Sequence, residues 1–350
     1  MKFSTYLIIV LFATYFIGCK KKDAAVNDIK YETITLDFKK LKNVDINNKS
    51  KIKEVILEVT DNSLLTHIEQ IEIRGNEIFI YDAHRVIVFD MEGNFLYHIN
   101  HKGSGPGEYT NVNSFFLEEN KICLYDDNLQ TLLIYDKNDV FVESKKTTEM
   151  MASIYPIGNG MFVGKKKYQG DNTQVPTLAV LDRDLKLSFN TNNKYLTTGI
   201  GVFDYCYSYK NNILYWEFLN DTIYTIKEER LVPKFYVDFK EFKIPEIEKK
   251  NKTIPEIIDY INTSTSDYAT GVRYVQEDLS NVRFIFAFDE SINYVRYNKQ
   301  SGETLLYHFY DSMKLQELDY FMKYNDGQII LSASNSGDVD SNPKLLFIRE

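Results

Sequence analysis

Ile71–Tyr109 reads IEIRGNEIFIYDAHRVIVFDMEGNFLYHINHKGSGPGEY, and this stretch decides the fold. It holds three short apolar runs, Ile78–Tyr81, Val86–Phe89 and Phe95–Ile99, each bounded by polar or turn residues. That is the pattern of half-buried antiparallel strands joined by tight turns. One such unit alone would have open sheet edges and too small a core, so it needs neighbours of its own kind.

The neighbours are in the chain. Ile78-Phe-Ile-Tyr-Asp82 recurs as Ile122-Cys-Leu-Tyr-Asp126, and Val86-Ile-Val-Phe-Asp90 as Leu132-Leu-Ile-Tyr-Asp136, at offsets of 44 and 46. A period in the mid-forties with three or four strands per unit is the signature of a propeller blade. Gly93 occupies a hairpin position that wants a left-handed backbone, and Asp139 holds the same place in the next unit. Looser copies follow: Gly160–Lys166 with Thr177–Asp182 and Leu185–Phe189; Ile213–Leu219 with Thr222–Ile226 and Phe235–Phe239; Arg283–Phe288 with Asn293–Tyr297 and Glu303–Phe309. Gln328–Ser332 and Lys344–Ile348 leave a last unit short of strands. Six units result: an all-β, six-bladed β-propeller over residues 31–350. Of the early segments, Thr33–Phe38 is expected as an isolated strand that closes the last blade, Lys39–Ile52 as polar loop, and Val55–Val59 as a short strand. Ile254, Ile257, Ile258 and Ile261 fall at helical spacing behind Thr253 and Pro255. They predict a helical excursion over Pro245–Ser264, between the fourth and fifth blades. A second short helix is expected at Met313–Met322.

Residues 1–18 stand apart. Lys2 precedes a twelve-residue apolar run, Tyr6–Ile17, too short for a permanent membrane span. Phe16-Ile17-Gly18-Cys19 resembles the lipobox of bacterial lipoproteins, which implies cleavage before Cys19, acylation there and a polar tether over residues 19–30. Cys123 and Cys206 read as buried small side chains rather than a disulfide framework. The formal charge of −9 has no basic cluster beyond Lys20–Lys22 and Lys165–Lys167, which argues against nucleic acid as a partner. With 26 Tyr and 23 Phe against 7 Pro, the body suits pleated, packed sheets.

Three places carry a family likeness. They are Val86–Leu96 followed by Gly103–Tyr109 (GSGPGEY), Asn220–Tyr224 leading to Pro233 and Phe235–Phe239, and Asn342-Pro343 before an apolar strand. With the lipobox they resemble the six-bladed propeller lipoproteins of Bacteroidetes, relatives of the NHL-repeat propellers. The resemblance implies a propeller in the cell envelope, an outer-membrane lipoprotein facing the periplasm or the surface. It implies no activity.

The chemistry is sparse. GSGPGEY lacks a P-loop ending and reads as a link between blades. His67, His84, His98 and His101 cluster, and loop topology places Asp82–Arg85 and His101–Glu108 at one end of the disc. Some NHL-like propellers use His and carboxylates around the channel as metal-dependent lyases, but no other unit supplies a matching His. Asp82, Asp90, Asp126 and Asp136 recur at blade ends, as turn-forming carboxylates do. Trp216 with Tyr205, Tyr207, Tyr209 and Tyr215 offers either a stacking platform or packing between blades. No nucleophile elbow or HExxH motif occurs. The expectation is a lipid-anchored binding or assembly scaffold for a protein, peptide or glycan. Its candidate contacts are His84, Arg85, His101, Lys102, Glu108 and Trp216, with no catalytic residue, metal ligand or cofactor assigned. The alternative is an NHL-type metal-dependent lyase or hydrolase at the central channel.

Overall fold

The repeated apolar runs build sheets because each strand finds the next across a short turn. The computed structural model describes residues 30–39, 41–45, 52–82, 85–167, 178–191, 207–209, 212–217, 219–249, 252, 254–264, 267–288, 291–308, 322–325, 327–333 and 340–350. Three N-terminal strands come first, β1 (Glu32–Thr35), β2 (Lys42–Asp45) and β3 (Ile52–Ile56). Blade one is β4 (Gln70–Arg74), β5 (Glu77–Asp82), β6 (Arg85–Asp90) and β7 (Phe95–Ile99), in that order across the sheet. Blade two repeats it with β8 (Val112–Glu118), β9 (Lys121–Asp126), β10 (Thr131–Asp136) and β11 (Phe141–Lys146). Blade three is β12 (Met151–Gly158), β13 (Met161–Lys166), β14 (Leu178–Leu181) and β15 (Leu187–Asn190).

Blade four pairs β16 (Tyr207–Tyr209) with β17 (Asn212–Leu214) and β18 (Thr222–Lys227) with β19 (Arg230–Asp238), the halves meeting at a bridge between Tyr215 and Tyr224. Blade five is β20 (Thr270–Glu277), β21 (Asn281–Phe288), β22 (Ser291–Asn298) and β23 (Thr304–His308). Blade six has β24 (Met322–Asn325), β25 (Gln328–Ala333) and β26 (Lys344–Arg349), and takes β3 as its fourth strand. Six blades are therefore present. Between blades four and five lie α1 (Glu246–Lys249) and α2 (Ile254–Thr263), within the span read from the isoleucine spacing. Ile257 is buried and Ile258 exposed, so one edge of the expected apolar stripe faces water. The helix expected at Met313–Met322 falls outside the described residues but for Met322, which opens β24.

The core consists of the contacts between blades. Ile78 and Ile80 of β5 pack with Ile330 and Phe347 of blade six, while the intervening Phe79 and Tyr81 pack with Phe115 and Leu124 of blade two. Both faces of the middle strands are thus buried, which corrects the half-buried expectation. Stacking blades face to face leaves solvent only the outer strands and the loops, so alternate residues sort between two neighbours rather than between core and water.

The N-terminal strands depart further from expectation. The strand completing the last blade is β3, antiparallel to β26 with Val55 opposite Leu345. Thr33–Phe38 instead supplies β1, which runs parallel to β19 on the outside of blade four, with Ile34 opposite Val237. The polar stretch expected as loop contains β2, parallel to β23 outside blade five. Only an antiparallel strand could continue the alternating order of blade six. The earlier segments, having the same direction as the outermost strands they meet, pair with them in parallel.

Candidate functional site

The loops joining second to third strands and the connections joining blades emerge at one end of the propeller, here the linker end. Hydrogen bonds between the two sets of loops demonstrate it. Asp82, at the close of β5, accepts from the backbone N–H of Thr66 at 3.2 Å and of His67 at 3.3 Å in the linker entering blade one. Asp126, its counterpart in blade two, accepts from Thr110 N at 2.5 Å and Asn111 N at 3.2 Å in the next linker. It also caps its own loop through Asn128 N and Leu129 N, both at 2.8 Å. Asn342, before β26, does the equivalent for blade six: its Oδ1 accepts from Leu65 N at 2.7 Å and its Nδ2 donates to Glu58 O and Ser63 O. In the hairpins between third and fourth strands, Asp90 and Asp136 accept from the backbone of their own turns, Glu92 and Asn94 in one and Asn138 and Val140 in the other. The side chain of Asn94 and the backbone N–H of Val140 respectively lead in holding these two carboxyls below the usual range. The recurring aspartates therefore serve turns and linkers.

Three of the residues nominated from sequence, Arg85, His101 and Glu108, are drawn into holding loops as well. The Arg85 guanidinium faces Asp82 at 3.5 Å and donates to Asn62 O and Leu64 O, tying blade one to the incoming linker. His101 turns to blade two: its Nε2 lies 2.7 Å from Asp139 Oδ1 in the hairpin of that blade, and its ring stacks on Tyr135 at 5.0 Å. His67 meets Glu69 at 3.0 Å and His98 meets Asn62 O at 3.3 Å, so these three histidines take separate partners. His84, Cys19, Cys206 and Tyr205 lie outside the described residues, as do the side chains of Tyr207 and Tyr209.

The GSGPGEY loop folds onto its own carboxylate. Gly105 N donates to Glu108 Oε2 at 2.7 Å, and Gly103 N donates to Tyr109 O at 2.9 Å. A Cβ on Gly103 would stand 2.0 Å from Glu108 Oε2, which explains the glycine there. Lys102 alone among the nominated residues of this loop is exposed. Trp216 is no platform, being 1 % exposed and packed with Leu214, Ile223 and Phe235 between blades four and five. Among the described residues no three His, Cys, Asp or Glu side chains form a metal-binding group.

The group that sequence reasoning passed over is Glu217. It follows Trp216 at the close of the second strand of blade four, buried, with Tyr215 Oη donating to its Oε1 at 2.9 Å. Its Oε2 and the Trp216 Nε1 have no hydrogen-bond partner among the described residues. Burial pushes the Glu217 carboxyl up to about 7, against the pull of Tyr215 and of Lys165. Four residues on, Asp221 is buried too and likewise raised, chiefly by that burial. It meets Lys249 of α1 at 3.3 Å and Lys243 at 3.9 Å. Leu219 between them packs on Ile244 and Ile257. The helical excursion is thus pinned to the linker end of blade four. An acidic residue inside the apolar run Ile213–Leu219 was the available signal.

Comparison with known proteins agrees with this geometry. Residues 32–348 match the profile of a domain of unknown function, DUF4934. The chain belongs to the DUF4934 family. Among solved structures, the chain resembles a protein of Bacteroides fragilis described as exported, with 20% identity, a TM-score of 0.72 and coverage of 91% of this chain and 99% of that one. It also resembles a DUF4221 family member from Bacteroides vulgatus, at 11% identity and TM-score 0.56, covering 85% and 98%. At these identities the likeness is one of fold. No curated protein matches the sequence.

Proposed function

We propose that this DUF4934 chain is an extracytoplasmic scaffold, anchored by lipid at Cys19 to the outer membrane, that holds a protein, peptide or glycan partner at its linker end. One observation carries the reading. There Arg85, His101 and Glu108, nominated for chemistry, are spent on holding loops, while Leu64, Leu129, Met150, Ile247 and Ile258 remain exposed on linkers, loop and helices. Apolar side chains left in water beside satisfied charges favour recognition by contact over catalysis. Lys102 is exposed on the linker entering blade two, beside the same surface. The lipobox and the exported relative in Bacteroides fragilis support the location. The lyase or hydrolase alternative would need ligands converging from several blades, and the histidines described do not converge.

A photo-crosslinking residue placed at Leu129 or Ile247, in cells making the full chain, tests this. We expect a covalent adduct from both positions and none from Leu279, which is exposed at the opposite end. Equal labelling from Leu279, or no adduct from either linker-end position, overturns the reading.

A further inference from the structure

The outer edges of the six blades are not equivalent. Those of blades four and five are covered by β1 and β2, each added in parallel as a further strand. The sheets of blades one, two and three end instead in β7, β11 and β15. Of these β11 is the longest, with six residues against five and four. It also exposes the most apolar side chains where it begins. Val140, Phe141 and Val142 are 57%, 38% and 47% exposed, an unusual run for a strand edge facing water. The strand then turns basic at Lys145 and Lys146.

Its hydrogen-bonding groups are available in a definite register. Thr147 N donates to Gln130 O, and the pairing continues as Thr131 opposite Lys146, Leu132 opposite Lys145 and Leu133 opposite Ser144. In an antiparallel ladder, bonded pairs alternate, so Glu143 and Lys145 bond to β10 while the backbone of Ser144 and Lys146 points outward.

We propose that β11 is a docking edge for an extended segment of a partner protein, which adds as a fifth, parallel strand on blade two. The inference rests on the scaffold reading and adds to its linker end a second surface, the outer edge of blade two, with its own kind of partner. The chain's own N-terminus shows that outer strands of this propeller accept parallel addition. It also shows what such a segment looks like: in Glu32–Phe38 (ETITLDF), Ile34 and Leu36 are buried at alternate positions and Asp37 follows. A parallel strand on β11 would begin beside Val140–Val142 and end beside Lys145 and Lys146. The fitting segment is therefore apolar at alternate positions first and acidic towards its C-terminal end. Main-chain bonds supply affinity and the two ends of the strand supply direction.

A synthetic peptide of residues 30–38 (KYETITLDF) is the probe, titrated against the full mature chain with amide exchange as the readout. Saturating peptide should slow exchange at Ser144 and Lys146 at least tenfold. Ser144→Pro, at a position whose N–H bonds nothing within the blade, should weaken peptide binding at least tenfold with Tm unchanged. Val142→Glu provides a second variant that keeps the backbone intact, and it should weaken binding in the same direction. Peptide binding without protection of these two amides, or with Ser144→Pro and Val142→Glu both silent, overturns the assignment. Protection that grows with protein concentration in the absence of peptide would give the edge to a second copy and overturn it as well. Crosslinks from Leu129 and Ile247 that persist when the peptide fails would remove only the β11 edge. Their loss would remove the scaffold reading itself.

Discussion

Asp126 and Glu217 are both buried carboxylates at the linker end, and their surroundings push them in opposite directions. Burial acts against the charge of Asp126, but the N–H groups of Leu129, Thr110 and Asn111 outweigh it and hold the carboxyl below its usual range. At Glu217 the pull of Tyr215, Lys165 and Asn220 is weaker than burial and one oxygen stays unmet, so burial wins and carries it to about 7. The consequence for stability has a definite sign. Between the ordinary glutamate value near 4.5 and 7, the folded chain keeps a proton at Glu217 that the unfolded chain has lost, so stability falls as pH rises through that window and levels off above it. A tenfold change in proton affinity corresponds to about 1.4 kcal/mol, so the full loss is roughly 3 kcal/mol. Glu217→Gln, which cannot ionise, should therefore gain about 2–3 kcal/mol on the wild type between pH 4.5 and pH 8 in urea unfolding. A difference between variant and wild type that stays constant over that range would show that the carboxyl titrates normally.

At the scale of elements, the linkers entering blades one, two and three each rest on the hairpin between the third and fourth strands of that blade. Glu58 N donates to Gly93 O at 2.8 Å while Phe95 N donates to Glu58 Oε2 at 2.7 Å; His101 meets Asp139; Thr148 Oγ1 accepts from Leu187 N at 3.4 Å. The hairpins keep one backbone plan, with positive φ at Gly93 (94°), Asp139 (63°), Leu185 (59°) and Gly302 (71°). Gly93 has a second reason to be glycine. A Cβ there would lie 2.1 Å from Ile56 O, whereas at Gly302 nothing lies within 4 Å. Gly93→Ala should cost about 3 kcal/mol or more and Gly302→Ala about 1 kcal/mol, since only the former adds a clash to backbone strain. Equal losses in denaturant titration would mean that the linker yields freely at Gly93. The hairpin was legible in the sequence because Asp90 and Gly93 bracket it. Its contact with Glu58 was not, because nothing local marks a partner 35 residues away. Strands β12 and β20 were passed over for a related reason: they mix polar residues with apolar ones that face two neighbours, which blurs any period of two.

At the scale of the whole molecule, the number of blades could be read from repeats and the helical excursion from the spacing of its isoleucines, whereas the route of residues 31–56 could not. That segment visits the outside of blade four, then of blade five, and then becomes part of blade six, pairing with strands roughly 200 to 300 residues away. Periodicity shows that Thr33–Phe38 is extended but not which edge it reaches. The three strands are unequal in what they hold. Removing β1 uncovers Val237, Phe235 and the rest of an edge that is otherwise complete, so a chain starting at Leu41 should fold as a ring with lower Tm and a greater tendency to associate. Removing β3 takes the outer of the two antiparallel partners of β26 and strips Val55 from contact with Ile71, Ile78 and Leu345, the packing that joins the last blade to the first. Blade six is also clasped to blade five by Glu350, whose carboxylate receives Arg283, at 3.1 Å through both Nε and Nη2, and Tyr294, but that bond lies on its other side and leaves the gap to blade one open. A chain starting at Glu58 should therefore lose its single cooperative transition, and a synthetic peptide of residues 49–59 should restore it, as a missing fourth strand would. If the Glu58 chain melts like the intact one, the ring is closed by contacts between blades alone and β3 is an accessory like β1.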